Sequence, residues 1–203
     1  TGDKVLTGNS CGGKYEKCIE PLQYLYSDRT LSAEIIPGKS VIGIAVDPEN
    51  RLAVAIDYIM TTGWGGYGID IPTLENTPSS GAGIYVRGER DSYLIRDGKA
   101  NTAKILAYGR SNGISYPAAE AAYNYQPGSC SSSSWCGRGN WYLPSNWQVF
   151  PYFDNRATIH LMLKAINKMP DDWWYTRNDF YTVTSNEINA KESGFIYINT
   201  GGM

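Results

Sequence analysis

Two close pairs of cysteines have the most specific chemistry in this 203-residue sequence: Cys11 with Cys18, and Cys130 with Cys136. Local pairing would close two small loops rich in Gly or Ser, CGGKYEKC and CSSSSWC. The alternative is a zinc site with four thiolate ligands, whose knuckles usually place two to four residues between cysteines. Here six and five residues intervene. We therefore favour disulfides, which predict an oxidising location: the periplasm, the cell surface or the extracellular space.

Conventional catalytic groups are scarce. The only histidine is His160, so a multi-histidine metal site is excluded and a Ser-His-Asp site would need this residue. We predict a surface histidine, because His160 lies off the apolar stripe of its helix. Asp171 and Asp172 could pair for metal binding or glycoside hydrolysis. They follow Pro170, however, and we expect a turn there. The sequence offers no catalytic set, and we predict a protein that is not an enzyme.

Charge and hydropathy exclude other classes of protein. The formal net charge is -2, without the basic excess that phosphate neutralisation by a nucleic-acid binder requires. No apolar run reaches about 18 residues, so we predict no membrane insertion by this fragment. We predict no cofactor. Loop Asp and Asn residues are compatible with a structural calcium ion but do not require one.

Aromatic side chains are the main candidates for function, with 16 Tyr, 6 Trp and 22 Gly in the chain. The stretch TTGWGGYGIDIP at 61–72 carries Trp64 and Tyr67 between glycines. A phosphate-binding loop would open a helix, whereas Pro72 follows here and no helical pattern begins. We interpret the stretch as a Gly-rich loop that presents aromatic side chains.

The segment 173–199 is dense in aromatic, Asn, Ser and Thr residues. Tyr and Trp give rigid contact area, and small polar side chains give adaptable hydrogen bonds, as in antibody paratopes. The alternative is that half of these aromatics face the core of a small sheet. The candidate ligand-binding residues are Trp174, Tyr175, Phe180 and Tyr181 as anchors, Arg177, Asn178 and Asn186 as polar contacts, and Trp64 and Tyr67 from the Gly-rich loop.

The order of elements is strands, then helices, then strands, which predicts an α+β fold with helices on an antiparallel sheet. VIGIAV and LAVAI predict a hairpin whose turn contains Pro48, with both strands covered on two faces. Helices are predicted at 99–108, capped by Asp97, and at 117–125. GNWYLPS predicts a short strand that ends at Pro144.

Two helices and several short strands are predicted after Pro144. Ser145 is expected to cap a helix that runs to about Phe153 and that Pro151 kinks or splits. A second helix spans 157–168, with a core stripe of Ile159, Met162, Leu163 and Ile166. The tail predicts short strands at WWYT, FYTVT and GFIYIN.

Several of these stretches resemble bacterial domains of the DUF1566 type, in the formylglycine-generating-enzyme branch of the C-type-lectin-like superfamily. The matching stretches are CGGKYEKC…YLYSD, IGIAVDPENRLAVAI, the CSSSSWC loop before WYLPS, and DDWWYT. The resemblance implies a loop-rich C-type-lectin-like domain at 21–203, with antiparallel sheets and flanking helices, after an N-terminal extension at 1–20. The V-R-P-V type closing strand of many members is missing, so we expect the chain to be a piece of a longer protein.

The resemblance also implies a function. Its members occur on surface proteins, on pilin-like proteins and as variable proteins of diversity-generating retroelements, whose ligand-binding face lies in the C-terminal segment. We therefore predict a receptor- or adhesin-like domain that binds a protein or glycan ligand on another cell or surface. The alternative is a structural head domain of a pilin-like or fibre assembly. Enzymes of this branch have a reactive cysteine pair in their C-terminal strands. Cys130 and Cys136 precede WYLPS instead, so we do not expect the formylglycine-generating activity.

Overall fold

The computed structural model describes residues 21–57, 63–74, 97–168, 179–189 and 192–199. The predicted extension at 1–20 and the predicted WWYT strand lie outside them. Within these ranges, four strands come first, three helices follow and a two-stranded hairpin comes last, which confirms an α+β chain. The strands are β1 Gln23–Tyr26, β2 Leu31–Ser32, β3 Val41–Asp47, β4 Leu52–Ala55, β5 Asp179–Asn189 and β6 Glu192–Asn199; the helices are α1 Gly98–Asn112, α2 Pro117–Asn124 and α3 Asn146–Ala165.

The first four strands form one antiparallel sheet in the order β2-β1-β3-β4. The predicted hairpin is β3 and β4, and Asp47 Oδ1 accepts from the Asn50 N–H at 3.1 Å to close its turn. Arg51 completes the turn with φ 56. Five consecutive residues of β3 are buried, as two covered faces require. The same prediction is wrong for β4, which is an edge strand of this sheet and is half-buried beyond Leu52.

Helix α3 packs on this sheet and forms the first core. Ile159 and Leu163 are buried against Tyr26 and Ile44, with Met162 and Ile166 partly buried beside them. The predicted stripe is therefore the core face of α3, except that Ile166 lies at its C-cap. Full burial of such an aliphatic side chain contributes about 1.5–3 kcal/mol, so this contact fixes α3 on the sheet.

Helix α3 replaces the two helices that the sequence predicts. Ser145 and Gln148 form a capping box at its start, and the helix continues through Pro151 to Ala165. A proline inside a helix costs about 3 kcal/mol. Trp147 and Tyr152 pack on the same core as the second half of the helix. This shared packing offsets the proline cost, which the local sequence signal could not show.

The prediction of a strand at Trp141–Pro144 is also wrong. The backbone groups of this segment form hydrogen bonds to a side chain and to a single distant N–H, and do not form a ladder with a neighbouring strand. The Leu143 N–H donates to Thr102 Oγ1 at 3.0 Å, and the Pro144 carbonyl accepts from the Ser185 N–H at 2.7 Å. The segment has no regular secondary structure, leads into α3 and is hydrogen-bonded to α1 and β5.

Helices α1 and α2 confirm the predictions made for them. Asp97 accepts from the Ala100 N–H at 2.9 Å and caps α1. The helix then runs beyond the predicted end to Asn112, where Gly113 terminates it with φ 67. Pro117 occupies the first turn of α2, a position where its missing N–H has no helical partner.

The side chain of Asp57 links the ends of three elements: β4, α2 and α3. The Tyr125 hydroxyl, just after α2, donates to Asp57 Oδ2 at 2.8 Å, and Lys168 beyond α3 pairs with Asp57 Oδ1. Burial raises the pKa of Asp57, but the hydrogen bonds from Lys168 and Tyr125 outweigh it, so the pKa is lowered from 3.8. Burial, together with the Asp57 carboxylate, raises the pKa of Tyr125.

Candidate binding face at the Gly-rich loop and the C-terminal hairpin

The Gly-rich loop, residues 63–74, packs against the start of α2. The Trp64 ring meets the Tyr116 ring edge-on, with centroids 5.3 Å apart. A Cβ on Gly66 would lie 2.5 Å from the Tyr116 ring, and one on Gly65 would overlap the Ser115 carbonyl. Both glycines have positive φ, 101 at Gly65 and 62 at Gly66. Only glycine accommodates both the backbone conformation and the close approach.

Tyr67 projects from this loop into solvent with 80% of its surface exposed. The Ile69 N–H donates to the Gly66 carbonyl at 2.9 Å and closes the turn that carries Tyr67. Further along the loop, Ile71 and Leu74 are buried in a second core with residues of α1. Of the two aromatics predicted in this loop, Trp64 is therefore a half-buried anchor and Tyr67 is the exposed one.

The C-terminal hairpin consists of β5 and β6, paired antiparallel. The predicted strands FYTVT and GFIYIN lie within it, and both are parts of longer strands. Phe180 pairs with Ile198 and Tyr181 with Tyr197 in the register, and Asn186 lies further along β5. Trp174, Tyr175, Arg177 and Asn178 lie outside the described residues.

Two buried polar residues of β5 join the hairpin to the rest of the chain. Ser185 is fully buried, and its hydroxyl oxygen accepts from Asn101 Nδ2 of α1 at 3.3 Å. Glu187 is 1% exposed, and its Oε2 accepts from the Ile71 N–H at 3.1 Å. The loop that carries Tyr67 and the strand that carries Phe180 and Asn186 are therefore in direct contact.

The surroundings of Glu187 disfavour its ionised form. Burial is the main cause that raises its pKa, the Asp70 carboxylate adds to it, and the Ile71 N–H opposes it. Tyr116 is close enough for the Glu187 charge to raise the tyrosine pKa further, after burial. Glu187 Oε1 and the Tyr116 hydroxyl are both buried, and neither has a hydrogen-bond partner within the described residues.

Sequence reasoning missed Asn101, Tyr116, Ser185 and Glu187. The stretch TVTSNEIN around Glu187 contains several polar residues. The sequence of this stretch does not show whether the Glu187 carboxylate is buried or exposed to solvent. Its burial depends on contact with Ile71, which lies 116 residues earlier in the chain. Tyr116 has a weak signal: it immediately precedes the proline that starts α2.

The predicted disulfide between Cys130 and Cys136 is present, whereas Cys11 and Cys18 fall in a range the structure does not describe. Both bridged cysteines are buried. Inside the loop, Trp135 Nε1 donates to the Ser27 carbonyl at 2.8 Å. Trp141 lies beyond the loop, and its Nε1 donates to the Cys136 carbonyl at 2.9 Å. The bridged loop is therefore fixed to the segment after β1 and packs on Ile42 of β3.

His160 is half-buried on α3, which corrects the prediction of a surface histidine. Burial, and secondarily the Arg156 charge, lower its pKa to about 4, so the imidazole is neutral at pH 7. The predicted turn at Asp171 and Asp172 lies outside the described residues. Across the described ranges, no group of three or more His, Cys, Asp or Glu side chains could hold a metal ion.

None of the helices described is both long and apolar enough to cross a membrane.

No protein-family model, no curated protein and no solved structure matches this chain. The resemblance to C-type-lectin-like domains therefore stays a prediction.

Proposed function

We propose that this chain is a non-enzymatic, C-type-lectin-like domain that binds a protein or glycan ligand at a cell surface or outside the cell. The binding face would combine the Gly-rich loop with the C-terminal hairpin. The observation that carries the proposal is the buried hydrogen bond between Ile71 and Glu187. It ties the loop that exposes Tyr67 to the strand that contains Phe180, Tyr181 and Asn186.

Tyr67 has the properties of a binding anchor. Its side chain is 80% exposed, while its loop is held on one side by the Trp64–Tyr116 contact and on the other by buried Ile71. An aromatic side chain on a preordered loop loses little conformational entropy when it binds. A loop with this geometry therefore favours recognition of a partner over a purely structural role.

The disulfide supports the proposed location. Cys130 and Cys136 are bridged, and structural disulfides persist mainly in oxidising compartments. The net charge of -2 favours a protein or glycan ligand over nucleic acid.

Binding arrays test the proposal directly. The purified chain is applied to glycan arrays and to panels of intact cells, beside Tyr67→Ala and the control Leu161→Ala. Leu161 is 69% exposed on α3, so the control removes another exposed apolar side chain. We expect saturable binding that Tyr67→Ala weakens at least tenfold, as loss of a hot-spot anchor does, and that Leu161→Ala leaves unchanged. Equal affinities in all three proteins would contradict the proposed face. Self-association without any ligand would favour the fibre-assembly alternative.

Diversification by a retroelement is a specific form of this proposal, and gene sequences from related isolates test it. We expect substitutions to concentrate at 173–199 while Ser185 and Glu187 stay fixed, since their contacts hold the hairpin. An invariant segment, or substitutions at these two positions as frequent as at their neighbours, would contradict this form.

A further inference from the structure

Among the residues that the structure describes, buried Glu187 makes one hydrogen bond. Its Oε2 accepts from the Ile71 N–H, but its Oε1 is buried with no partner in the described part of the chain. A buried carboxylate with an unpaired oxygen is strongly disfavoured when it is charged. The contact between loop and hairpin therefore favours the neutral acid.

No described cation compensates the charge of Glu187. The titratable groups that act on it from the elements packed around it are Asp70 of the Gly-rich loop and Tyr116 at the start of α2. Tyr108 of α1 acts in turn on Tyr116. An ionised Glu187 would face a like charge and a phenol that is neutral at pH 7, and its hydrogen bond to Ile71 would have to offset both burial and repulsion.

We propose that Glu187 is a pH-sensitive latch: protonated, it holds the Gly-rich loop on β5, and ionised, it releases the loop. The side chain gains hydration when it leaves the buried site, and the bond to Ile71 breaks. The latch goes beyond the proposed binding function and does not depend on it, because the loop position can be measured without a ligand.

The direction of the effect follows from linkage. The docked state has the raised pKa, so docking is strongest below 4.5, the ordinary value for Glu, and weakens as the pH rises through the raised value. The ratio of docked to released loop falls tenfold for each unit by which docking raises the pKa.

Amide hydrogen exchange measures how much of the time the Gly-rich loop is docked on β5. Exchange of the 63–74 amides, above all the Ile71 N–H, is followed from pH 4 to 8 after correction for intrinsic rates, with the α1 amides as an internal reference. We expect loop protection to fall at least tenfold relative to α1. In Glu187→Gln, the side-chain oxygen still accepts from Ile71 but cannot ionise, so protection should not change with pH. The same pH trend in this variant and in the wild type would overturn the proposal.

Asp70→Asn keeps the proposal testable if Glu187→Gln fails to fold. Removing the like charge lowers the pKa of Glu187, so the midpoint of release should move to lower pH. An unchanged midpoint, or wild-type loop protection that does not depend on pH, would overturn the latch. The exchange measurements need no ligand, whereas the arrays measure binding itself, so failure of the latch and failure of the proposed function are distinguishable.

Discussion

Two glycines in one loop provide a matched test of how the Gly-rich loop is held. Gly66 has φ 62, and its added Cβ would lie 2.5 Å from Cε1 of Tyr116. Gly68 has φ 82, and nothing lies within 4 Å of its added Cβ. Alanine at either position has the same backbone penalty, and only alanine at position 66 also collides with the ring.

The expected magnitudes follow from this geometry. A non-glycine residue in the left-handed region costs about 1–2 kcal/mol, which is the whole effect expected for Gly68→Ala. Overpacking adds about 1–3 kcal/mol, so Gly66→Ala should destabilise the docked loop by about 2–5 kcal/mol. The loop packs on the second core and not on the first. If the loop detaches before the first core unfolds, the loss in global stability is limited to the free energy of loop docking.

Urea unfolding followed by tryptophan fluorescence gives the global effect, and hydrogen exchange of the Ile71 amide gives the local one. We expect Gly66→Ala to lose more protection at Ile71 than Gly68→Ala, by a factor of about five or more. Equal losses in the two variants would show that the Tyr116 ring does not occupy the space beside Gly66, and would refute the packing described here.

Three further predictions concern the global stability of the chain. Tyr116→Phe should raise the free energy of unfolding by about 1 kcal/mol in urea, because the buried hydroxyl has no partner among described residues; a lower midpoint would contradict this. Wild-type stability should fall as the pH drops below 3.8, because the folded-state pKa of Asp57 is lowered. Asp57→Asn should reduce this dependence of the thermal unfolding midpoint on pH. An equal dependence in the two proteins would contradict the contacts described for Asp57. Replacing Cys130 and Cys136 together by Ser should cost about 2 kcal/mol, given their sequence separation of 6; unchanged thermal unfolding would refute this.

Local signals in the sequence predict the starts of the three helices in the described ranges and the first hairpin. Asp97 and Ser145 each accept from a backbone N–H in the first turn of a helix, and Pro117 starts α2. Asp47 closes the hairpin turn before β4. These features depend on contacts within a few residues, which is why the sequence alone shows them.

The errors arise where distant contacts decide. Pro151 stays inside α3 because both halves of the helix pack on one core. Leu143 forms no strand because Thr102, 41 residues away, takes its N–H. The candidate site shows the same limit. Glycines flank both Trp64 and Tyr67, yet only Tyr67 is exposed, and the burial of Glu187 depends on a long-range partner.

The central claim is that the Gly-rich loop and the C-terminal hairpin form one binding face. Hydrogen exchange with and without the first ligand identified on the arrays tests it most directly. We predict that the ligand protects amides in 63–74 and in 179–199 together, with α3 unchanged. Protection confined to α3 or to the disulfide loop at 130–136, with both predicted segments unaffected, would contradict the claim.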